Sequence, residues 1–432
     1  MHLHSKYSRA VSQRMTVTQL ALWAQKKGIQ LLGTADWTHP LWLKELKQDL
    51  VEVSEGIYGV KMQNSPYFLL STEISSIYSQ GGKLRRIHNL VLAPSFATVE
   101  KINAELLRRG CNLMADGRPI IGINSRDLVE LVLSIDENCL VIPAHVWTPW
   151  FSLYGSRSGF DSLEECFQDM SQYIYAIETG LSSDPEMNWR IKELEGRSIV
   201  SFSDAHSPEK LGREATVFKT KNEKRKTKNF DYFDISKAIK GRGDWRIAFT
   251  IEFYPQEGKY HYTGHRNCGV RQSPEETAKL GSVCPVCGKR LTIGVMQRVQ
   301  DLARRERRGR KIKDKNGMVW TSDDNRPPYV MLVPLMEILA ESFQTEISSQ
   351  KVQIEYNKLI KNFGSEFNVL LQIKPEEIER VSGEKVAEGI KKVREGDLII
   401  EPGYDGVFGK VKIWSSGDKE SLEDKGKQMS LF

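Results

Sequence analysis

Eight histidines occur in the 432 residues of the chain, and their neighbours are not random. His2 and His4 form "HLH" at the start. In an extended segment, residues i and i+2 project to one face, so both imidazoles can reach one metal ion. Asp36 and His39 follow in "TADWTHP", Glu73 in "STE" and His88 in "IHN". His145 lies in "IPAH", Glu178 in "AIE", and Asp204 and His206 in "SDAH". Any one of these alone fits a core histidine or a helix-capping aspartate equally well. Together they suggest a shared cluster of cations, for which imidazole and carboxylate ligands suit zinc, manganese or iron. Several such ions around a bridging carboxylate make a hydrolytic centre. One acidifies a water, and the others hold a phosphate and offset charge on the leaving oxygen. His261 and His265, the remaining two, sit near cysteines.

These side chains need a scaffold that gathers them. Short apolar runs bounded by turn residues at 29–36, 67–75, 88–94, 140–147, 175–180 and 198–206 predict buried strands. Residues 16–28 predict a helix, with Thr16 as N-cap and Gly28 as C-cap. Alternating strands and helices imply an α/β fold with a parallel sheet or barrel. The carboxyl ends of its strands would converge on one face. Most of the histidines and acids fall at or near such ends. The predicted organisation places the barrel at 1–218 and a basic connector at 219–251. A zinc-binding module at 252–300 and a basic, helical segment at 301–365 follow. A small α/β module at 366–415 and a flexible tail at 416–432 complete a mainly helical C-terminal region.

"HLHSKYS", "GTADWTHP", "STEIS", "RIHNLVLAP", "IPAH" and "SDAH" resemble, in order, the motifs of the PHP metal-dependent phosphoesterases. With the later segments, nearly the whole chain resembles the endonuclease Q family of that superfamily. The resemblance implies a distorted β/α barrel holding up to three divalent ions, Zn, Mn or Mg. His2, His4, Glu73 and Asp204 would hold one ion. His39 and His206, with Asp36, would hold a second. Glu73, His88 and His145 would hold a third, with Glu73 bridging. Asp204, Glu73 and His206 would be the catalytic residues, with Glu178 supporting ligands or substrate. The resemblance also implies the reaction: hydrolysis of DNA 5′ to uracil, hypoxanthine, xanthine or an abasic site, leaving 3′-hydroxyl and 5′-phosphate ends. Two departures stand out. Family members carry several residues before the His-x-His pair that form a first strand, and here Met1 leaves no room for them. No Asp or His follows within "SKYSRAVSQR", so the second ion has the thinnest ligand set.

His265, Cys268, Cys284 and Cys287 form two knuckles, "HRNC" and "CPVC". Such a closed Cys3His set suits one structural zinc in a reducing compartment. His261 competes with His265 for the fourth place, and His265 reproduces the spacing of the second knuckle. Cys111, Cys139 and Cys166 are isolated and read as packed thiols.

A net charge of +6 and a pI near 8.8 permit a nucleic-acid partner without requiring one. The basic residues Lys224, Arg225 and Lys226, and Arg304, Arg305, Arg307, Arg308 and Arg310, are the predicted contacts to DNA phosphates. "GSRSG" at 155–159 offers backbone amides and Arg157 to a phosphate. Tyr329, Tyr404 and Phe408 offer rings on which a base could stack. The last five residues, "QMSLF", resemble the bacterial sliding-clamp motif. Gln428, Leu431 and Phe432 would bind the clamp, which points to a bacterial source. No apolar run reaches the length of a membrane span, and no signal peptide is visible. A cytoplasmic, nucleoid-associated enzyme is therefore expected. The rivals are a small-molecule phosphatase and a non-catalytic, clamp-associated DNA-binding protein. The basic runs and cysteine module speak against the first, and the retained ligand set against the second.

Overall fold

The Thr16 side chain accepts a hydrogen bond from Gln19 N and starts helix α1 (Val17–Lys27). Gly28 ends it at φ 85°, a left-handed backbone that suits glycine. The expected helix is thus present with both caps. The structure, a computed structural model, describes residues 1–62, 65–221, 230–303 and 307–415.

Seven strands share one sheet. They are β1 (Leu31–Gly33), β2 (Val51–Ser54), β3 (Ile57–Gly59), β4 (Tyr67–Gln80), β5 (Lys83–Ala93), β6 (Ile120–Ile121) and β7 (Leu140–Pro143). A separate parallel pair joins β8 (Ala176–Glu178) to β9 (Ser198–Val200). Each expected apolar run therefore contains a strand. Their directions differ from a regular parallel alternation. Among these nine strands, β1–β4, β4–β6 and β8–β9 pair in parallel, whereas β4–β5 and β5–β7 are antiparallel. The cause is local. Gly81 and Gly82, at φ 60° and 70°, make a two-residue turn that folds β5 straight back on β4. Glu73 and His88 consequently lie within long strands, not at strand ends. Among the described residues the hydrogen-bonded ladders do not run round into a closed barrel.

Two further strands, β10 (Ala215–Thr220) and β11 (Trp245–Glu252), begin a second sheet. The chain then leaves it for a hairpin of β12 (Thr263–His265) and β13 (Val270–Gln272). It returns with β14 (Arg310–Lys313), β15 (Val319–Asp323) and β16 (Arg326–Met331), giving the order β10-β11-β16-β15-β14. The stretch read as a basic connector, 219–251, is therefore mostly sheet and helix, with 222–229 outside the described residues. In the segment expected to be basic and helical, 301–365, strands β14–β16 precede the helix that starts at Leu335.

The C-terminal helices Leu335–Ser342, Gln350–Phe363, Glu366–Leu371, Pro375–Ser382 and Glu384–Glu395 share one continuous core with α1. Lys27 Nζ lies 2.7 Å from Glu366 Oε2, and both side chains are buried. Tyr356 Oη donates to the same carboxylate at 2.9 Å, and Leu335 N donates at 3.1 Å. Removing one member of a buried, hydrogen-bonded ion pair strands the other. Glu366→Leu is therefore expected to destabilise the protein by about 3–5 kcal/mol. Denaturant unfolding measures this, and a change below about 1 kcal/mol contradicts it.

Candidate metal centre

The N-terminal segment meets the residues after β9 through one parallel bridge, Leu3 to Ala205, with His4 N donating to Ala205 O at 3.1 Å. That bridge sets His2 and His4, on either side of Leu3, against Asp204 and His206. Glu73 approaches from the middle of β4, a strand buried on nearly every residue. His2 Nε2 lies 3.4 Å from Glu73 Oε1 and 3.6 Å from Asp204 Oδ1. His4 Nε2 lies 3.4 Å from Glu73 Oε2 and 3.2 Å from Asp204 Oδ1. These two ring nitrogens and Asp204 Oδ1 are buried without a hydrogen-bond partner. An orphaned buried polar atom costs about 1–3 kcal/mol, so three converging on one point fit a cation.

Two further groups share these residues. His4, Asp204 and His206 form one; Glu73, His88 and His145 form the other. Glu73 Oε1 lies 2.8 Å from His88 Nδ1 and 3.0 Å from His145 Nε2. Glu73 thus reaches all the imidazoles except that of His206. The backbone is shaped to the same end, with Asp36, His145 and Asp204 at φ 38°, 31° and 43°. Left-handed backbone is unfavourable for these side chains and accumulates where a site dictates orientation.

The supporting groups correct part of the sequence reading. Asp36 does not face the ion positions. Its Oδ2 accepts from Ser5 N at 2.6 Å, Ser5 Oγ at 2.7 Å and Ser8 Oγ at 2.8 Å, and His4 Nδ1 donates to Oδ1 at 3.2 Å. It positions His4. His39 stacks on Tyr7, centroids 4.4 Å apart, and joins none of the ligand groups among the described residues. Glu178 accepts from His2 Nδ1 at 2.9 Å and from His145 N at 2.8 Å, so it orients two ligands. Partners of this kind fix ring orientation and ligand basicity. Glu178→Gln is expected to weaken metal binding by about 10–100-fold with little change in melting temperature. Metal titration followed by calorimetry measures it, and unchanged affinity contradicts it.

Burial lowers the pKa of His2, but Glu178, Glu73 and Asp204 outweigh it and raise the value to about 10. His4 is raised as well, by Asp36, Asp204 and Glu73 against its burial. Burial holds His88 down at about 4 despite Glu73, so that ring stays neutral. Metal-free protein at neutral pH therefore carries protons on His2 and His4, and a cation must displace them. Affinity at the site that His2 and His4 share is expected to rise with pH up to about 10, with about two protons released as that site fills at neutral pH. For the metal-free protein the sign is opposite. His2 contributes stability that is complete below 6.5, its unfolded value, and lost as pH rises through about 10. Calorimetry in buffers of different ionisation enthalpy tests the release, and uptake without protons contradicts it.

A second cluster lies in the excursion between β11 and β14. Ligand atoms of His265, Cys268, Cys284 and Cys287 all lie within 4.8 Å of one another. His261 is buried elsewhere, stacked on Tyr262. Burial pushes the Cys284 thiol up, but the Cys287 and Val286 amides and His265 bring it down to about 6. A thiolate ready at neutral pH fits a structural zinc. Cys139 and Cys166 are buried, and Cys111 half-buried, as packed thiols.

The expected DNA contacts divide. Lys224, Arg225, Lys226, Arg304, Arg305 and the clamp-like Gln428, Leu431 and Phe432 lie outside the described residues. Arg307 is taken up by Asp323, with Nε 2.5 Å from Oδ2, whereas Arg308 is exposed. Arg310 is exposed and pairs with Asp324. The "GSRSG" amides do not form a cradle. Those of Gly155, Arg157, Ser158 and Gly159 donate to carbonyls of the same loop, and the Arg157 side chain is exposed. Tyr329 is buried, and Phe408 is exposed. Sequence reasoning missed Arg118, whose Nη1 lies 3.2 Å from Glu73 Oε2. It also missed Ser5 and Ser8, the partners of Asp36. Among the described residues no helix is long and apolar enough to cross a membrane. A cavity of about 1150 Å³ beside Met1, Leu3 and Glu214 is lined by none of the candidate ligands.

Residues 334–397 match the family model described as the MJ0043 C-terminal domain. The uncharacterized protein YqxK of Bacillus subtilis (strain 168) is 31% identical over 398 residues, 90% of each chain. MJ0043 of Methanocaldococcus jannaschii is 34% identical over 269 residues, which are 62% of this chain and 31% of that longer protein. Two crystal structures are similar throughout. The lesion-specific endonuclease PfuEndoQ from Pyrococcus furiosus superposes with a TM-score of 0.80 at 32% identity, covering 98% of both chains. An endonuclease Q complex with a 27-mer duplex carrying an abasic lesion at the active site gives 0.81 at 33%, covering 96% of both. A conserved fold at this identity over essentially the full length of both chains means that the chain belongs to the endonuclease Q family.

Proposed function

We propose that this protein is a metal-dependent, lesion-specific DNA endonuclease. It cuts the phosphodiester 5′ to a deaminated base (uracil, hypoxanthine or xanthine) or an abasic site. The observation that carries the chemistry is the convergence of His2, His4 and Asp204 atoms, buried and unpartnered, beside Glu73. The abasic-lesion complex of the related endonuclease Q supports the substrate.

Bound divalent ions, up to three, supply water activation and neutralise charge on the phosphate. The chain's own residues prepare that chemistry. Glu178 and Asp36 hold His2 and His4 in the tautomer that leaves each Nε2 free for a ligand role. Glu73, fully buried, keeps the groups within one bridging distance of each other. Asp204 and His206 are the catalytic residues at the accessible edge, His206 being 38% exposed, and the scissile phosphate approaches there. His206 Nδ1 donates to Asp204 O at 2.8 Å, which orients its ring. Arg308 and Arg157, with Arg310 and the basic residues at 224–226 and 304–305, hold the DNA backbone. One zinc on His265, Cys268, Cys284 and Cys287 stiffens the adjoining module. The tail binds the bacterial sliding clamp through Gln428, Leu431 and Phe432. The Bacillus subtilis relative supports a bacterial member, working in the cytoplasm on the nucleoid.

The test uses duplex oligonucleotides carrying uracil, hypoxanthine, an abasic site or no lesion, incubated with protein and Mn²⁺. The expected product is a nick 5′ to each lesion with a 3′-hydroxyl end, absent with Asp204→Ala. Phosphate release from small esters alone indicates the phosphatase instead. Clamp binding with no hydrolysis indicates the non-catalytic protein.

A further inference from the structure

The accessible edge of the metal centre carries a cation that belongs to no ligand set. Arg118 sits in the turn before β6, its side chain 25% exposed, and Nη1 donates to Glu73 Oε2 at 3.2 Å. No other lysine or arginine pairs with Glu73 or Asp204 among the described residues. Nearby cations are already committed: Lys6 lies 2.9 Å from Glu45, and Arg9 lies 3.5 Å from Asp116. The remaining N–H groups of the Arg118 fork have no partner among the described residues.

We infer that Arg118 is a catalytic residue that grips the non-bridging oxygens of the scissile phosphodiester. The inference rests on the endonuclease reading above and adds the group that receives the anion. The carboxylates of Glu73 and Asp204 would take up part of the charge of the ions they hold, so a further fixed cation at this edge adds to the attraction for a phosphodiester. A guanidinium fork matches two phosphate oxygens at once, and it strengthens its hold as charge builds on them in the transition state.

The turn is built to hold this side chain in place. Gly117 N donates to Tyr7 O at 3.0 Å, and Thr38 Oγ1 donates to Gly117 O at 3.1 Å. Arg118 N donates to Asp116 Oδ1 at 3.1 Å, and Ser75 N of β4 donates to Pro119 O at 3.0 Å. A Cβ on residue 117 would come within 2.4 Å of Asp36 Oδ2 and 2.5 Å of Ser8 Oγ. Only glycine lets the turn press onto the residues that position His4. The arginine is therefore tied, through its own backbone, to the frame that sets the metal ligands.

The experiment compares wild type, Arg118→Ala and Arg118→Lys on the abasic duplex with Mn²⁺. Bound metal is measured on each protein by mass spectrometry, and bis(4-nitrophenyl) phosphate is assayed in parallel. The expected result is a kcat lower by about 10²–10³-fold in the alanine variant at unchanged metal content. The lysine variant keeps part of the rate, and added guanidinium ion restores part of it to the alanine variant. A kcat within twofold of wild type overturns the inference. Metal loss in proportion to the rate also overturns it, because Arg118 would then only organise Glu73. Failure of the endonuclease reading looks different: wild type leaves the abasic duplex intact. In that event the small diester still decides whether phosphodiester hydrolysis needs Arg118.

Discussion

Glu73→Gln is expected to lower the rate of DNA nicking by at least about 10³-fold and to strip metal from the centre, while the protein stays folded. The carboxylate faces four imidazoles, with Oε1 directed to His2, His88 and His145 and Oε2 to His4. Burial raises its pKa, but His88, His2, Arg118 and His145 outweigh that and hold it well below the usual carboxylate range. An amide of the same shape keeps the packing of β4 but presents a neutral oxygen and an NH2 donor to the ions. One substitution thereby weakens every group that shares the residue. Asp36→Asn acts through His4 alone and should cost far less, about 10–100-fold. Single-turnover nicking and metal content, measured on the same samples, test the ranking. If Glu73→Gln retains both activity and metal, Glu73 is not the bridge.

Cys284→Ser is expected to have the second-largest effect, through folding. Zinc binding to such sets contributes about 10–16 kcal/mol in isolated modules, and removing one of four ligands forfeits much of it. The module has little else to hold it. Its strands β12 and β13 are three residues each, and Val283 and Val286 are exposed. The loss should spread toward the metal centre. Arg298 Nε donates to Tyr154 O at 3.0 Å, and Trp150 packs on Tyr260 at 5.4 Å, so the module braces the loop that follows His145. Limited proteolysis should cut Cys284→Ser between β12 and the helix Val295–Leu302, where zinc-loaded wild type resists. Equal resistance, or wild type that purifies without zinc, contradicts the structural role.

Much of the centre was legible in the sequence because each ligand lies in its own short motif. His2, His4, Glu73, His88, His145, Asp204 and His206 could be named before any fold was built, and the structure brings them together. Asp36 and His39 could not be sorted the same way. Whether an aspartate faces a cation or two serine hydroxyls depends on how Ser5 and Ser8 turn back, and spacing carries no trace of that. The antiparallel return of β5 was encoded in Gly81-Gly82, a hairpin signal that the β/α alternation overshadowed. Arg307 looked free within a basic run because its partner, Asp323, arrives only when β15 forms beyond it. Arg118 had no motif at all. Its place follows from Gly117 packing against Asp36, a tertiary contact.

The central claim is that this cluster, once metal-loaded, hydrolyses DNA at a lesion. The most direct measurement titrates chelator-treated protein with Mn²⁺ while following both bound ions and nicking of an abasic-site duplex. The account predicts no nicking without added ions and activity that rises as they fill the centre, with zinc on the cysteine set unchanged throughout. Full nicking by protein free of these ions, or a filled centre that leaves the lesion strand uncut, would contradict it.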